Sequence, residues 1–173
     1  MLADILWEQR KRDPALSIFE TQDMDLKRKF SNVFRTGKPI PLKPSFCGAN
    51  KGMYILDPLG DIYTCWDMVG QVNNRVGKYF PNLVFDSRNL NGWLQRTVAT
   101  VPGCTNCKYA LFCGGGCAAR AFRRKGSLKA PHCDGYPALF RRHLSDEYSS
   151  YVKTNLSLTE SNNQLPEGGD DDA

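Results

Sequence analysis

Residues 104–117 read CTNCKYALFCGGGC, four cysteines spaced C-x2-C-x5-C-x3-C. Two thiols three positions apart in a turn, Cys104 and Cys107, can grip one metal centre. Alone that is a common pattern. Cys113 and Cys117 follow at once, separated only by Gly114, Gly115 and Gly116. Residues without side chains let the backbone wrap close to a bulky centre and point N–H groups at sulfur. Working outward, Cys47 and Cys65 lie upstream and Cys133 downstream, which makes seven cysteines in 173 residues. That is one site of four and one of three, more than the four that a single zinc takes. The ligands need not divide in sequence order, because the last cysteine of a tight run can cross to a second cluster. Cys117 is the candidate for crossing, since the helix after it leads away from the Cys104 turn.

Composition narrows the setting. A mean hydropathy of −0.46 and the lack of any apolar run near 20 residues exclude a membrane-spanning helix. The opening MLADILWEQRKRD lacks the apolar stretch and cleavage site of a secretory signal. The expected compartment is the cytoplasm, where structural disulfides are rare; the odd cysteine count also argues against a disulfide framework. The formal net charge is +5 with the thiols counted neutral. Metal-bound cysteines are thiolates, so this excess is weak support for nucleic-acid binding.

The expected fold is α+β: a small, cysteine-rich, irregular domain with a β-hairpin, metal-wrapped loops and short helices. Residues 1–44 read as a helical lead-in. Within it Asp23 can cap a helix that carries Leu26, Phe30, Val33 and Phe34 on one face and closes at Gly37. That apolar stripe needs a partner inside or outside the chain. Pro39, Pro41 and Pro44 make an extended connector. Residues 52–65 read as a hairpin around Asp57-Pro58-Leu59-Gly60, delivering Cys65 from a strand end. Residues 66–85 read as irregular. Asp86 or Ser87 caps a helix with Leu90, Trp93, Leu94 and Val98, broken by Pro102-Gly103. A basic helix spans Ala118 to about Lys125. A last helix starts near Pro137 with a stripe of Leu139, Phe140, Leu144, Tyr148, Tyr151 and Val152. The acidic stretch 155–173 reads as disordered. The metal-binding domain is expected over residues 45–154.

Cys47, Cys65, Cys104, Cys107, Cys113, Cys117 and Cys133, with Gly60 five positions before Cys65, carry a resemblance. The spacing resembles the SPASM domain, the C-terminal auxiliary domain of many radical S-adenosylmethionine enzymes. The resemblance implies two auxiliary [4Fe–4S] clusters. The first would be held by Cys47, Cys65 and Cys117, with one position open to another ligand. The second would be held by Cys104, Cys107, Cys113 and Cys133. It further implies electron transfer or substrate engagement in the oxidative modification of a peptide or protein. The C-x3-C-x2-C set that cleaves S-adenosylmethionine does not occur in this sequence. That cofactor is therefore expected only through a missing domain or a separate radical subunit, and the chain as a truncated, split or stand-alone part. Sulfatase-maturing members place an aspartate directly after the cysteine equivalent to Cys65. Trp66 stands there, so that acid–base role does not carry over.

Other readings stand beside this one. A zinc-binding structural or interaction module would use the same cysteines without redox chemistry. A CCCH zinc finger fails, because Cys117 stands where its histidine should be. A stand-alone peptide recruiter for a partner enzyme is a third reading. Arg120, Arg123, Arg124, Lys125, Lys129, Arg141 and Arg142 form either a solvated face balancing anionic clusters or a docking patch for an acidic peptide. No nucleic-acid motif accompanies them. His132 reads as a hydrogen-bonding neighbour of Cys133 rather than a ligand, and His143 as packing. Asp57 and Asp61 belong to their turn, Asp67 is a possible oxygen ligand to the open iron, and Trp66, Trp93 and Tyr63 read as core.

Overall fold

Asp57 organises the hairpin. Its carboxylate accepts the backbone N–H groups of Leu59 and Asp61, each at 2.9 Å, and Gly60 supplies the positive φ of +89° that closes the turn. In the computed structural model, which describes residues 2–13, 15 and 22–162, the elements run α1 (Leu2–Arg12), α2 (Gln22–Thr36), β1 (Ile55–Leu56), β2 (Asp61–Tyr63), β3 (Gly77–Lys78), β4 (Val84–Phe85), α3 (Ser87–Leu94), α4 (Ala110–Cys113), α5 (Ala118–Lys125) and α6 (Tyr136–Asn162). The protein is α+β, with one antiparallel sheet in the order β1-β2-β3-β4.

The hairpin register pairs Ile55 with Tyr63 and Leu56 with Ile62. Residues 66–85, expected to be irregular, add two strands: Ile62 faces Gly77, and Gly77 faces Phe85. Neither strand announces itself, because each is two residues long and owes its existence to the pairing partner. Gly77 is required there, since an added Cβ would stand 2.5 Å from the Val84 carbonyl oxygen.

The chain divides into two compact units, Pro41–Pro137 and the flanking segments Met1–Ile40 with Ala138–Ala173. In the flanking unit α2 buries Leu26 and Phe30. Phe30 meets Phe140 edge-on at 4.9 Å, and Phe34 stacks on Tyr151 at 5.5 Å. The stripe of α2 thus finds its partner on α6. The helix opens at Gln22, one residue before the expected cap at Asp23, and stops where Gly37 turns to φ +70°. On α6 the buried face runs through Leu139 and His143, while Leu144 is exposed. His143 packs as expected and takes the inward position expected of Leu144. Residues 155–162, expected to be disordered, continue α6; the tail from 163 onward lies outside the described residues.

In the central unit, Asp86 caps α3 by accepting the Asn89 N–H at 3.0 Å. Val98 falls beyond this helix, and its N–H reaches the Pro44 carbonyl at 2.8 Å, tying the proline connector down. One core gathers Ile55, Ile62, Tyr63, Met68, Val76, Trp93, Ala118 and Ala119; a smaller one gathers Val101, Cys104 and Ala110. Trp66 does not join either and is 72% exposed. The chain turns sharply over Trp66–Met68 directly after Cys65, which sends Met68 inward and the indole out.

Candidate metal centre

The seven cysteines all carry free thiols and all lie in the central unit. Cys104, Cys107, Cys113 and Cys133 line one cavity with Tyr109, His132 and Tyr136. The C-x2-C turn supplies the first two, with the Cys107 N–H bonded to the Cys104 carbonyl at 3.1 Å. Cys113 ends the short helix α4, and Gly114 follows with φ +75°. Cys133 comes on a loop whose next two residues, Asp134 and Gly135, also have positive φ.

Cys47, Cys65 and Cys117 pack instead against the larger core. Cys47 precedes a tight turn, Gly48–Asn50, and Asn50 donates to the Trp93 carbonyl at 3.0 Å, which docks that turn on the end of α3. Cys65 follows β2 after one buried residue, Thr64. Cys117 stands at the N-terminus of α5.

The three glycines between Cys113 and Cys117 make both arrangements possible. A Cβ on Gly114 would stand 2.7 Å from the Ser45 carbonyl, on the segment that leads to Cys47. A Cβ on Gly116 would collide with the His132 carbonyl, on the segment that leads to Cys133. The loop is therefore a hub on which two other cysteine-bearing segments close. It also bears on sulfur, because the Gly115 and Gly116 backbone N–H groups favour the Cys113 thiolate. The Asp67 N–H does the same for Cys65.

Electrostatically the thiols act on near neighbours. Burial pushes the Cys65 thiol up, and the charges of Asp67, Cys117 and Cys47 push it further. Burial also raises Cys104, with Cys133 and Cys107 adding to it. Burial raises Cys113, with the glycine N–H groups and Lys43 opposing. A cation delivered to either group would reverse these penalties by replacing the protons.

Thiolates are the donors that zinc and iron–sulfur centres take. Four thiols line one cavity that is partly open to solvent. A zinc ion, with Zn–S near 2.3 Å, would draw four sulfurs toward one point; a bulkier cluster spreads them. Among the described residues, no group of three or more Cys, His, Asp or Glu side chains is placed to hold a metal ion.

The neighbouring polar groups take defined places. His132 is buried at 7% exposure, and its Nε2 stands 3.7 Å from an Asp134 carboxylate oxygen. Burial pushes its pKa down. Asp61 pairs with Arg75 at 3.4 Å. Asp67 faces Arg123, whose guanidinium also donates to the Asp67 carbonyl at 2.8 Å. Arg120 pairs with Asp134 at 2.7 Å. Two members of the basic run therefore brace α5 against the segments just beyond Cys65 and Cys133.

One residue of the site had no sequence signal. Arg96, a lone arginine in NGWLQRT, is 1% exposed. Its Nη2 donates to the carbonyls of Gly115 at 2.8 Å and Gly116 at 3.2 Å, and its Nη1 to Ala130 at 3.0 Å and to Leu128. No helix among the described residues is long and apolar enough to cross a membrane. Comparison with protein-family models and with curated proteins gives no match.

Proposed function

We propose that the central unit holds two [4Fe–4S] clusters, one on Cys104, Cys107, Cys113 and Cys133, the other on Cys47, Cys65 and Cys117. The observation that carries this reading is a single cavity lined by four thiols together with Gly115 of the glycine loop. When bound, such a cluster supplies one-electron transfer at a potential set by hydrogen bonds to sulfur and by burial. The chain's own contribution is to hold the thiolates, to favour them through the Gly115, Gly116 and Asp67 backbone N–H groups, and to keep Cys104 and Cys113 buried.

The SPASM-like spacing supports a role in a radical S-adenosylmethionine system that modifies a peptide or protein, of the sulfatase-maturing or peptide-crosslinking kind. The clusters would pass electrons or engage the substrate. Since the sequence lacks C-x3-C-x2-C, cleavage of S-adenosylmethionine falls to another domain or subunit. Reduced, reconstituted chain should release no 5′-deoxyadenosine above background. The three-thiol group leaves room for a fourth ligand. Asp67 is a candidate for that place, with its carboxylate 3.6 Å from the Arg123 guanidinium in this structure.

Anaerobically purified protein should be brown, with about eight irons and as many sulfides per chain. Colourless protein with stoichiometric zinc would reject the reading and favour a zinc-stabilised interaction module. Iron-free protein that binds a substrate peptide would favour a recruiter.

A further inference from the structure

Arg96 bonds the loop that joins the two cysteine groups, and its bonds have a pattern. Two go to the glycine loop that joins Cys113, of one group, to Cys117, of the other. Two go to the segment 128–130, which leads within three residues to Cys133. One planar fork of five donors suits this task; a lysine ammonium cannot span four carbonyls in two directions. The acceptors are neutral carbonyls, so no carboxylate among these partners cancels the charge. A buried guanidinium without an acid is costly to keep charged, and burial does lower its pKa. What offsets that penalty comes from both sides: Cys104 and Cys113 from one group, Cys117 and Cys47 from the other, each favouring the charged form.

We propose that Arg96 is a positioning residue shared by both metal centres, pinning the Cys113–Cys117 loop to the Cys133 segment and setting one fixed positive charge beside the two groups. This rests on the cluster-binding reading above. The charge has a directional consequence. Each cluster with its thiolates is anionic, and an electron accepted from a reductant adds a further negative charge. A neighbouring cation stabilises the reduced form of both centres. Its removal makes both potentials more negative. For any separation on the order of 10 Å at an effective dielectric near 20, one charge changes a reduction equilibrium by about tenfold, equal to about 59 mV for one electron.

The test separates charge from geometry. Full-length wild type, Arg96→Gln and Arg96→Lys are reconstituted with iron and sulfide and titrated with dithionite at controlled potential, each cluster followed by its electron-spin signal. Arg96→Gln should move both potentials down by about tenfold in the reduction equilibrium. Arg96→Lys should hold both near wild type yet retain less iron per chain, because the fork is lost. Wild-type potentials and iron content in both variants would overturn the proposal, as would a shift confined to one cluster. Failure of both variants to fold even when loaded would overturn the charge role and leave Arg96 as a packing element. Wild type that takes up no iron would sink the cluster reading itself, a result distinct from any of these.

Discussion

Gly116→Ala should be among the most damaging single-atom additions to the central unit, and its cost can be worked out from neighbouring glycines. Gly116 has φ +72°, where an L-residue pays roughly 1–2 kcal/mol. The new methyl would also overlap the His132 carbonyl. That atom is backbone and cannot rotate away, so the overlap adds about 1–3 kcal/mol of displaced structure. The sum is about 2–5 kcal/mol, a large part of the stability of an ordinary domain. Gly126→Ala is the control. Its φ is +67°, but nothing lies within 4 Å of the added carbon, so it should cost only the conformational part, about 1–2 kcal/mol. Gly115→Ala, at φ +85° with Val101 Cγ2 at 3.8 Å, should fall with Gly126. Urea unfolding of the three metal-free variants measures the differences as shifts in midpoint, and iron retention after reconstitution measures the effect on the centres. Gly116→Ala should lose iron held by Cys133 first, since the His132 segment is what must move. Equal midpoints for Gly116→Ala and Gly126→Ala would refute the claim that the glycine loop is a closely packed hub.

Ligand partition has a clear readout: Cys104→Ser and Cys133→Ser should erase the same spectroscopic signature, and Cys47→Ser and Cys117→Ser the other. A Cys117→Ser variant that behaves like Cys104→Ser would rule out the interleaved arrangement. The metal-free chain should lose stability as pH rises through the ordinary thiol value near 9.0. Cys65, Cys104 and Cys113 have raised pKa values in the fold through burial, so the unfolded chain gives up these protons first. Their stabilisation is full below the unfolded value and is lost as pH climbs through the folded ones. Thermal melts of metal-free protein between neutral pH and pH 10 test this, and a flat profile would contradict it. Metal loading should run the other way, weakening as pH falls and releasing protons on binding. Phe30→Ala empties a buried edge-on contact with Phe140 and should cost about 3–5 kcal/mol, read as a loss of helical signal on heating. A melt unchanged from wild type would mean that α2 does not depend on α6.

Much of the chain was legible where a short stretch carries its own instructions. The Asp57–Gly60 turn, the Asp86 cap, the Gly37 stop and the short basic helix after Cys117 are decided by φ preferences and by side chains bonding backbone a few residues away. The cysteine spacing likewise marks candidate ligands without knowledge of the fold. Long-range features were not legible. The strands at Gly77–Lys78 and Val84–Phe85 exist because β2 offers a backbone edge, and two residues cannot show a period of their own. Trp66 lies outside and Met68 inside because of the direction in which a tight turn leaves Cys65. His143 rather than Leu144 faces inward because the rotation of α6 is decided by packing, not by hydrophobicity residue by residue. Arg96 is the clearest case. By sequence it is one more cation in a basic chain, and only the meeting of the 114–116 loop with the 128–130 segment gives its fork four carbonyls to hold. Local chemistry chose the turns, caps and thiols; the tertiary structure alone decided which of them meet, because those contacts join residues tens of positions apart whose mutual approach no local preference encodes.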